Sequence, residues 1–189
     1  MHGFHSGSVT QSTNRGFKMR IYANALLLGF VATGVLLSAV TVEAKSVSYP
    51  PHGKAIAMVD VPDSWKVTPA KEEGDWTDLE SAGGTVLQMR TLEGTKESLQ
   101  AASDESVDYI KKNYSVDQVK AEPECTINGL QCAGFHGTGK EKDGGAIKFA
   151  TIVFLLKSGD LGELWYVAPD DDAAGTNDAA KIINSYRSP

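Results

Sequence analysis

The chain has 189 residues, 18 basic and 24 acidic side chains for a formal net charge of −6, 41% hydrophobic residues and two cysteines. That balance excludes a disulfide-dense mini-protein, a disordered chain and a multi-pass membrane protein. Nucleic acid is not expected as a partner, because binding phosphates takes clustered Lys and Arg.

Residues 1–18 are polar, rich in Ser, Thr and Gly, and lack a hydrophobic period, so they bury too little to offset their ordering entropy. Met19-Arg20 then leads into an apolar run from Leu26 to Val40, followed by Val42-Glu43-Ala44. These are the basic, apolar and small-residue parts of a secretory signal. The pattern predicts a start at Met19, a cut after Ala44 and a periplasmic or secreted protein without stable membrane insertion. A retained anchor is the competing reading, since the stretch from Ala23 to Val42 is long enough to cross a bilayer. Residues 1–44 are thus read as extension and signal, 45–54 as a linker, and 55–189 as a single domain.

The segment from Ala55 to Val61 has partly alternating apolar residues and ends at Pro62-Asp63, a strand and a turn. Trp65-Lys66-Val67 continues extended. Asp75 to Ser81 and Thr85 to Leu92, joined by Ala82-Gly83-Gly84, read as a hairpin. From Lys96 to Tyr114 the period lengthens, with Leu99, Ala102, Ser103, Ser106, Val107, Ile110 and Tyr114 on one face, which predicts an amphipathic helix capped by Thr95.

Asn128-Gly129 between apolar residues predicts a two-residue hairpin turn, because both turn positions take positive φ. That register places Cys125 directly opposite Cys132, in a hydrogen-bonded pair with Cα atoms roughly 5.5 Å apart, within reach of a disulfide. Two reduced structural thiols are the alternative. The second strand runs through Phe135 towards Thr138, and Asp143-Gly144-Gly145 reverses the chain into Ala146 to Leu156. That is the most apolar strand and is placed centrally. Ser158-Gly159-Asp160 turns into Leu161 to Ala168, and a helix from Thr176 to Tyr186 closes the chain. Tight turns join most strands, so the class is α+β, a mainly antiparallel sheet with helices packed on its faces.

Three stretches carry a family resemblance: Val59-Asp60-Val61-Pro62-Asp63-Ser64-Trp65, the Thr126-Ile127-Asn128-Gly129 step before a strand, and Leu164-Trp165-Tyr166-Val167-Ala168-Pro169-Asp170-Asp171-Asp172 before a helix ending Ile182-Ile183-Asn184-Ser185-Tyr186. With the element order, they make the chain from about residue 45 onward resemble the PsbP-like/DcrB-like superfamily with its Mog-type fold. The resemblance implies an α/β/α sandwich and accessory roles such as assembly, release and envelope functions. It also implies a non-enzymatic domain that binds another protein.

Gly134-Phe135-His136-Gly137-Thr138-Gly139-Lys140 has the spacing of a phosphate-binding loop, but Glu141 follows where a hydroxyl is needed, and a strand stands where the helix should be. It reads instead as a twisted, glycine-rich strand. His52 and His136 are too few for a His-rich metal site or a catalytic triad. Asp170-Asp171-Asp172 lacks the spaced ligands of a calcium loop, so neither metal nor cofactor is expected. Trp76, flanked by Asp75 and Asp78, is the aromatic residue best suited to anchor a partner, and His136 is a second candidate. No catalytic residue is assigned; a buried carboxylate with a raised pKa in a cleft would revive a hydrolase reading. The sequence is therefore read as a monomeric, exported envelope protein with a protein partner. An immunity or inhibitor protein against a secreted toxin is the alternative, its acidic surface complementing a basic toxin.

Overall fold

Short strand-forming runs and tight turns give a sheet whose two faces are both covered. The computed structural model describes residues 43–189; the start at Met19 and the signal up to residue 42 lie outside the described residues, while Ala44, where the cut is expected, opens the first strand. The elements are β1 (Ala44–Tyr49), β2 (Ala57–Pro62), β3 (Lys66–Thr68), β4 (Thr77–Glu80), β5 (Val86–Leu92), α1 (Lys96–Asn113), β6 (Ser115–Ile127), β7 (Leu130–Lys140), β8 (Ala146–Leu155), β9 (Leu161–Pro169) and α2 (Ala173–Asn184). Seven strands pair in the order β3-β4-β5-β9-β8-β7-β6, all antiparallel, and β1 and β2 form a separate two-stranded sheet. The expected α+β class, with helices on an antiparallel sheet, is the observed one.

Alternation along the strands builds two cores. On one face Leu79, Leu87, Met89, Leu164 and Phe154 meet Ala179 and Ile182 of α2 and Val59 and Val61 of β2. On the other, Phe149, Trp165, Val167 and Ile147 meet Ile110 of α1. Tyr186 stacks on Phe154 at 4.2 Å between ring centroids and seals the first core behind α2.

Three expectations need correction. The segment read as a linker forms β1, because Val47 packs on the first core and Tyr49 is fully buried in it, while β1 pairs with β2 from Ala44↔Pro62 to Tyr49↔Ala57. The central strand is β9, with β8 beside it. Gly162 and Glu163 make β9 read as less apolar, yet it lies between β5 and β8 and is buried along almost its whole length. On α1, Ala102, Ser106 and Ile110 are buried as expected, but Leu99 is 42% exposed. Its turn of the helix overhangs an open groove beside Phe135 and Val153.

Local signals held elsewhere. Thr95 caps α1 by accepting from the Ser98 N–H at 3.0 Å. Asn128 and Gly129 have φ of 49° and 79°, and the strands pair Ile127↔Leu130, Thr126↔Gln131 and Cys125↔Cys132. The cysteines form a disulfide with Cα atoms 4.8 Å apart, closer than the expected spacing, next to a register shift between Glu122 and Cys125. Helix α2 starts three residues earlier than its apolar period suggests, because Asp172 caps it.

Candidate functional site

Trp76 lies in the approach to β4, and a residue from the supposed linker fixes that approach. The Tyr49 hydroxyl donates to the Asp75 carbonyl at 2.8 Å and accepts from the Gly74 N–H at 2.8 Å. Burial raises the Tyr49 pKa, which keeps the phenol a donor. The Trp76 ring comes to rest half-buried on the α1 face, with the Arg90 guanidinium 4.1 Å from its centroid.

Arg90 projects from β5 on the same face as Gln88. Because Arg90 pairs with Glu163 and Gln88 with Trp165, antiparallel register brings all four side chains together. Arg90 Nε donates to Glu163 Oε2 at 2.8 Å, and Nη2 donates to Glu105 Oε2 of α1 at 2.7 Å. Ser106 Oγ donates to Glu163 Oε1 at 3.3 Å. Tyr109, one turn along α1, meets Trp165 edge to face with centroids 5.5 Å apart and remains 49% exposed. Trp76, Gln88, Glu105, Ser106, Tyr109 and Trp165 line a cleft of about 240 Å³.

The arrangement is an aromatic cleft braced by a buried ion pair. Burial pushes the Glu163 carboxyl up, against the pull of Arg90. Glu163 thus meets the first part of the condition for a hydrolase, a buried carboxylate with a raised pKa. It fails the second, since it has no exposed surface, both oxygens accept from protein donors, and it does not line the cleft. Its role is to hold Arg90, which in turn holds Trp76.

The two predicted partner-binding residues are not brought together. His136 pairs with Ala150, which pairs with Tyr166, so it lies on the sheet face opposite Trp165 and the cleft. There it is half-exposed, with Nε2 3.4 Å from Glu122 Oε1, near Lys120 and Lys148. The cleft partners of Trp76 escaped sequence reasoning, although charged Glu163 and Arg90 inside apolar strands were a signal that two strands pair through them.

The remaining motifs are structural. Gly134, Gly137 and Gly139 lie within β7, and a Cβ at these positions would collide with the Thr151, Gln118 and Ser115 carbonyl oxygens respectively. The phosphate-loop spacing is therefore a strand that lets its neighbours approach closely. In the acidic turn, Asp172 Oδ2 accepts from Thr85 Oγ1 at 2.6 Å and Ser81 Oγ at 2.7 Å, while Oδ1 accepts from the Gly175 N–H at 2.9 Å. These donors, Thr85 foremost, hold its pKa down to about 2. The carboxylate is thus occupied by protein donors, and among the described residues no cluster of three or more His, Cys, Asp or Glu could hold a metal. No helix among the described residues is long and apolar enough to cross a membrane.

No family model matches the chain, and no curated protein matches it in sequence. Solved structures do match. The cyanobacterial PsbP protein CyanoP of Synechocystis superposes with a TM-score of 0.53 at 12% identity, covering 86% of this chain and 99% of that one. LpqN, involved in cell envelope biogenesis of Mycobacterium tuberculosis, has a TM-score of 0.47 at 16% identity, covering 78% of this chain and 91% of its own. A structure from Bacteroides thetaiotaomicron has a TM-score of 0.44 at 11% identity over 70% of this chain, which spans 45% of that one. At these identities the likeness is one of fold, carried by CyanoP.

Proposed function

We propose that this chain, which has the PsbP-like fold, is an exported, non-enzymatic accessory protein of the cell envelope that binds another protein through the Trp76 cleft. Half-exposed Trp76, clamped between Arg90 and the Tyr49-held loop, carries the reading. An aromatic side chain already fixed in place loses little freedom when a partner covers it, which is how interface anchors gain affinity. Export is supported by the signal pattern ending at Ala44 and by the Cys125–Cys132 disulfide, a bond that persists in oxidising compartments. His136, on the opposite face, is a second and separate candidate contact.

The test is crosslinking of tagged protein in its native envelope, with mass spectrometry of what is captured, in parallel with Trp76→Ala and His136→Ala. A dominant partner, captured by the wild type and by His136→Ala but lost with Trp76→Ala, is the expected result. Equal capture by Trp76→Ala would remove the cleft from the interface. A captured toxin bound one to one would turn the role into immunity without moving the surface.

A further inference from the structure

We infer that the cleft takes a basic side chain of the partner, an arginine or lysine head enclosed by Trp76, Tyr109 and Trp165 and facing Glu105. This rests on the reading of the cleft as a protein-binding surface and adds the chemistry of the residue that enters it.

Arg90 is the only cation hydrogen-bonded in this cluster among the described residues, and it meets two carboxylates, Glu163 and Glu105. Glu163 is fully buried and both its oxygens are taken by Arg90 Nε and Ser106 Oγ, so the carboxylate that faces the cleft is that of Glu105. That side chain is 59% exposed and lines the cleft. Its Oε2 accepts from Arg90, while Oε1 has no hydrogen-bond donor among the described residues.

The walls match that charge. Three aromatic rings and a carboxylate around a space of about 240 Å³ form the kind of enclosure in which a cation gains from ring faces and a counter-charge together. Arg90 already covers one face of Trp76, and Tyr109 is half-exposed at the mouth. An anionic guest would face the Glu105 carboxylate, and a purely apolar guest would desolvate Glu105 Oε1 without giving it a donor. The chain as a whole, at −6, also steers a basic partner surface towards it.

Three probes are titrated into the folded protein while the indole N–H resonances of Trp76 and Trp165 are followed by NMR. They are N-acetyl-arginine amide, its neutral isostere N-acetyl-citrulline amide, and tetramethylammonium. Saturable shifts with the arginine probe, roughly ten-fold weaker with citrulline and with Glu105→Gln protein, are expected. Glu105→Gln keeps an acceptor for Arg90 on a largely exposed residue, and an unchanged melting temperature verifies its fold. Equal binding of arginine and citrulline would overturn the inference, as would no binding. Tighter binding of tetramethylammonium than of the arginine probe would also overturn it, in favour of a free quaternary ammonium ligand.

The same variant goes into the envelope capture. Partner lost with both Trp76→Ala and Glu105→Gln supports the inference. Loss with Trp76→Ala alone leaves the cleft as the interface and overturns the basic guest. Retention in both overturns the interface itself.

Discussion

Glu163 has no exposed surface, yet it stands in the central strand bonded to Arg90 and Ser106. Such a pair adds little beyond what apolar residues would give, but breaking it strands a buried charge. Arg90→Met, which leaves fully buried Glu163 without a cation, is therefore expected to cost about 3–5 kcal/mol in urea unfolding, while Arg90→Met combined with Glu163→Leu costs much less; equal losses would show that the pair is not coupled. Asp172 acts in the opposite sense, its hydrogen bonds holding the folded pKa down to about 2, below the ordinary carboxylate range. A depressed carboxylate stabilises the fold fully above its unfolded pKa and loses that contribution as pH falls through the folded value. Asp172→Ala is expected to cost about 1–2 kcal/mol near neutral pH as a lost helix cap. The gap between wild type and variant should close between pH 4 and 2 in acid-unfolding curves, and a constant gap would contradict the assignment. Trp76 was legible as a candidate anchor from its acidic neighbours, and it is half-buried against the second core. Arg90, Tyr109 and Trp165 were not legible as its companions, because the β5–β9 register that gathers them depends on pairing across α1 and three intervening strands.

The hairpin of β6 and β7 shows how much one element can encode locally. Asn128-Gly129 sets the turn, the turn sets the register, and the register sets the disulfide, all within a few residues. By loop-closure entropy this small ring contributes about 2.5 kcal/mol. Replacing both cysteines by Ala should lower stability by up to that amount, with faster amide exchange confined to the residues around the turn; exchange spreading through β9 would mean that the hairpin carries the sheet. Strands β1 and β9 were harder to read for a common reason. A short strand such as Ser46-Val47-Ser48-Tyr49 is recognisable only through what it pairs with, and apolar content reports burial on both faces without reporting position in the sheet. Tyr49→Phe keeps the buried ring and removes both hydrogen bonds to the Trp76 loop. It is expected to raise amide exchange at Gly74 and shift the Trp76 indole resonance, with Trp165 unchanged; a silent Trp76 would show that Arg90 alone holds the ring.

Across the described molecule, the two cores lie on opposite sides of one sheet, and the edge strand β6 is protected rather than sticky. Strand β6 carries Pro123 and the charges of Asp117, Lys120, Glu122 and Glu124 along an edge interrupted by two register shifts, features that resist pairing with another chain. This sets Val119, 56% exposed, apart from a flat apolar edge. Concentration-independent sedimentation as a monomer is expected, and a dimer broken by charge substitutions on β6 would contradict it.

The carboxyl-terminal segment folds back on the small sheet: Arg187 grips Asp60 of β2 with both terminal nitrogens, at 2.9 and 2.8 Å, and donates to Ser46 Oγ of β1 at 3.2 Å. The described residues thus begin and finish on the small sheet that packs away from α1. Their backbone could be rejoined there and reopened at the Ser158-Gly159-Asp160 turn with its pairing intact. A fluorophore or tether fixed at that seam would leave the aromatic cleft facing open solvent.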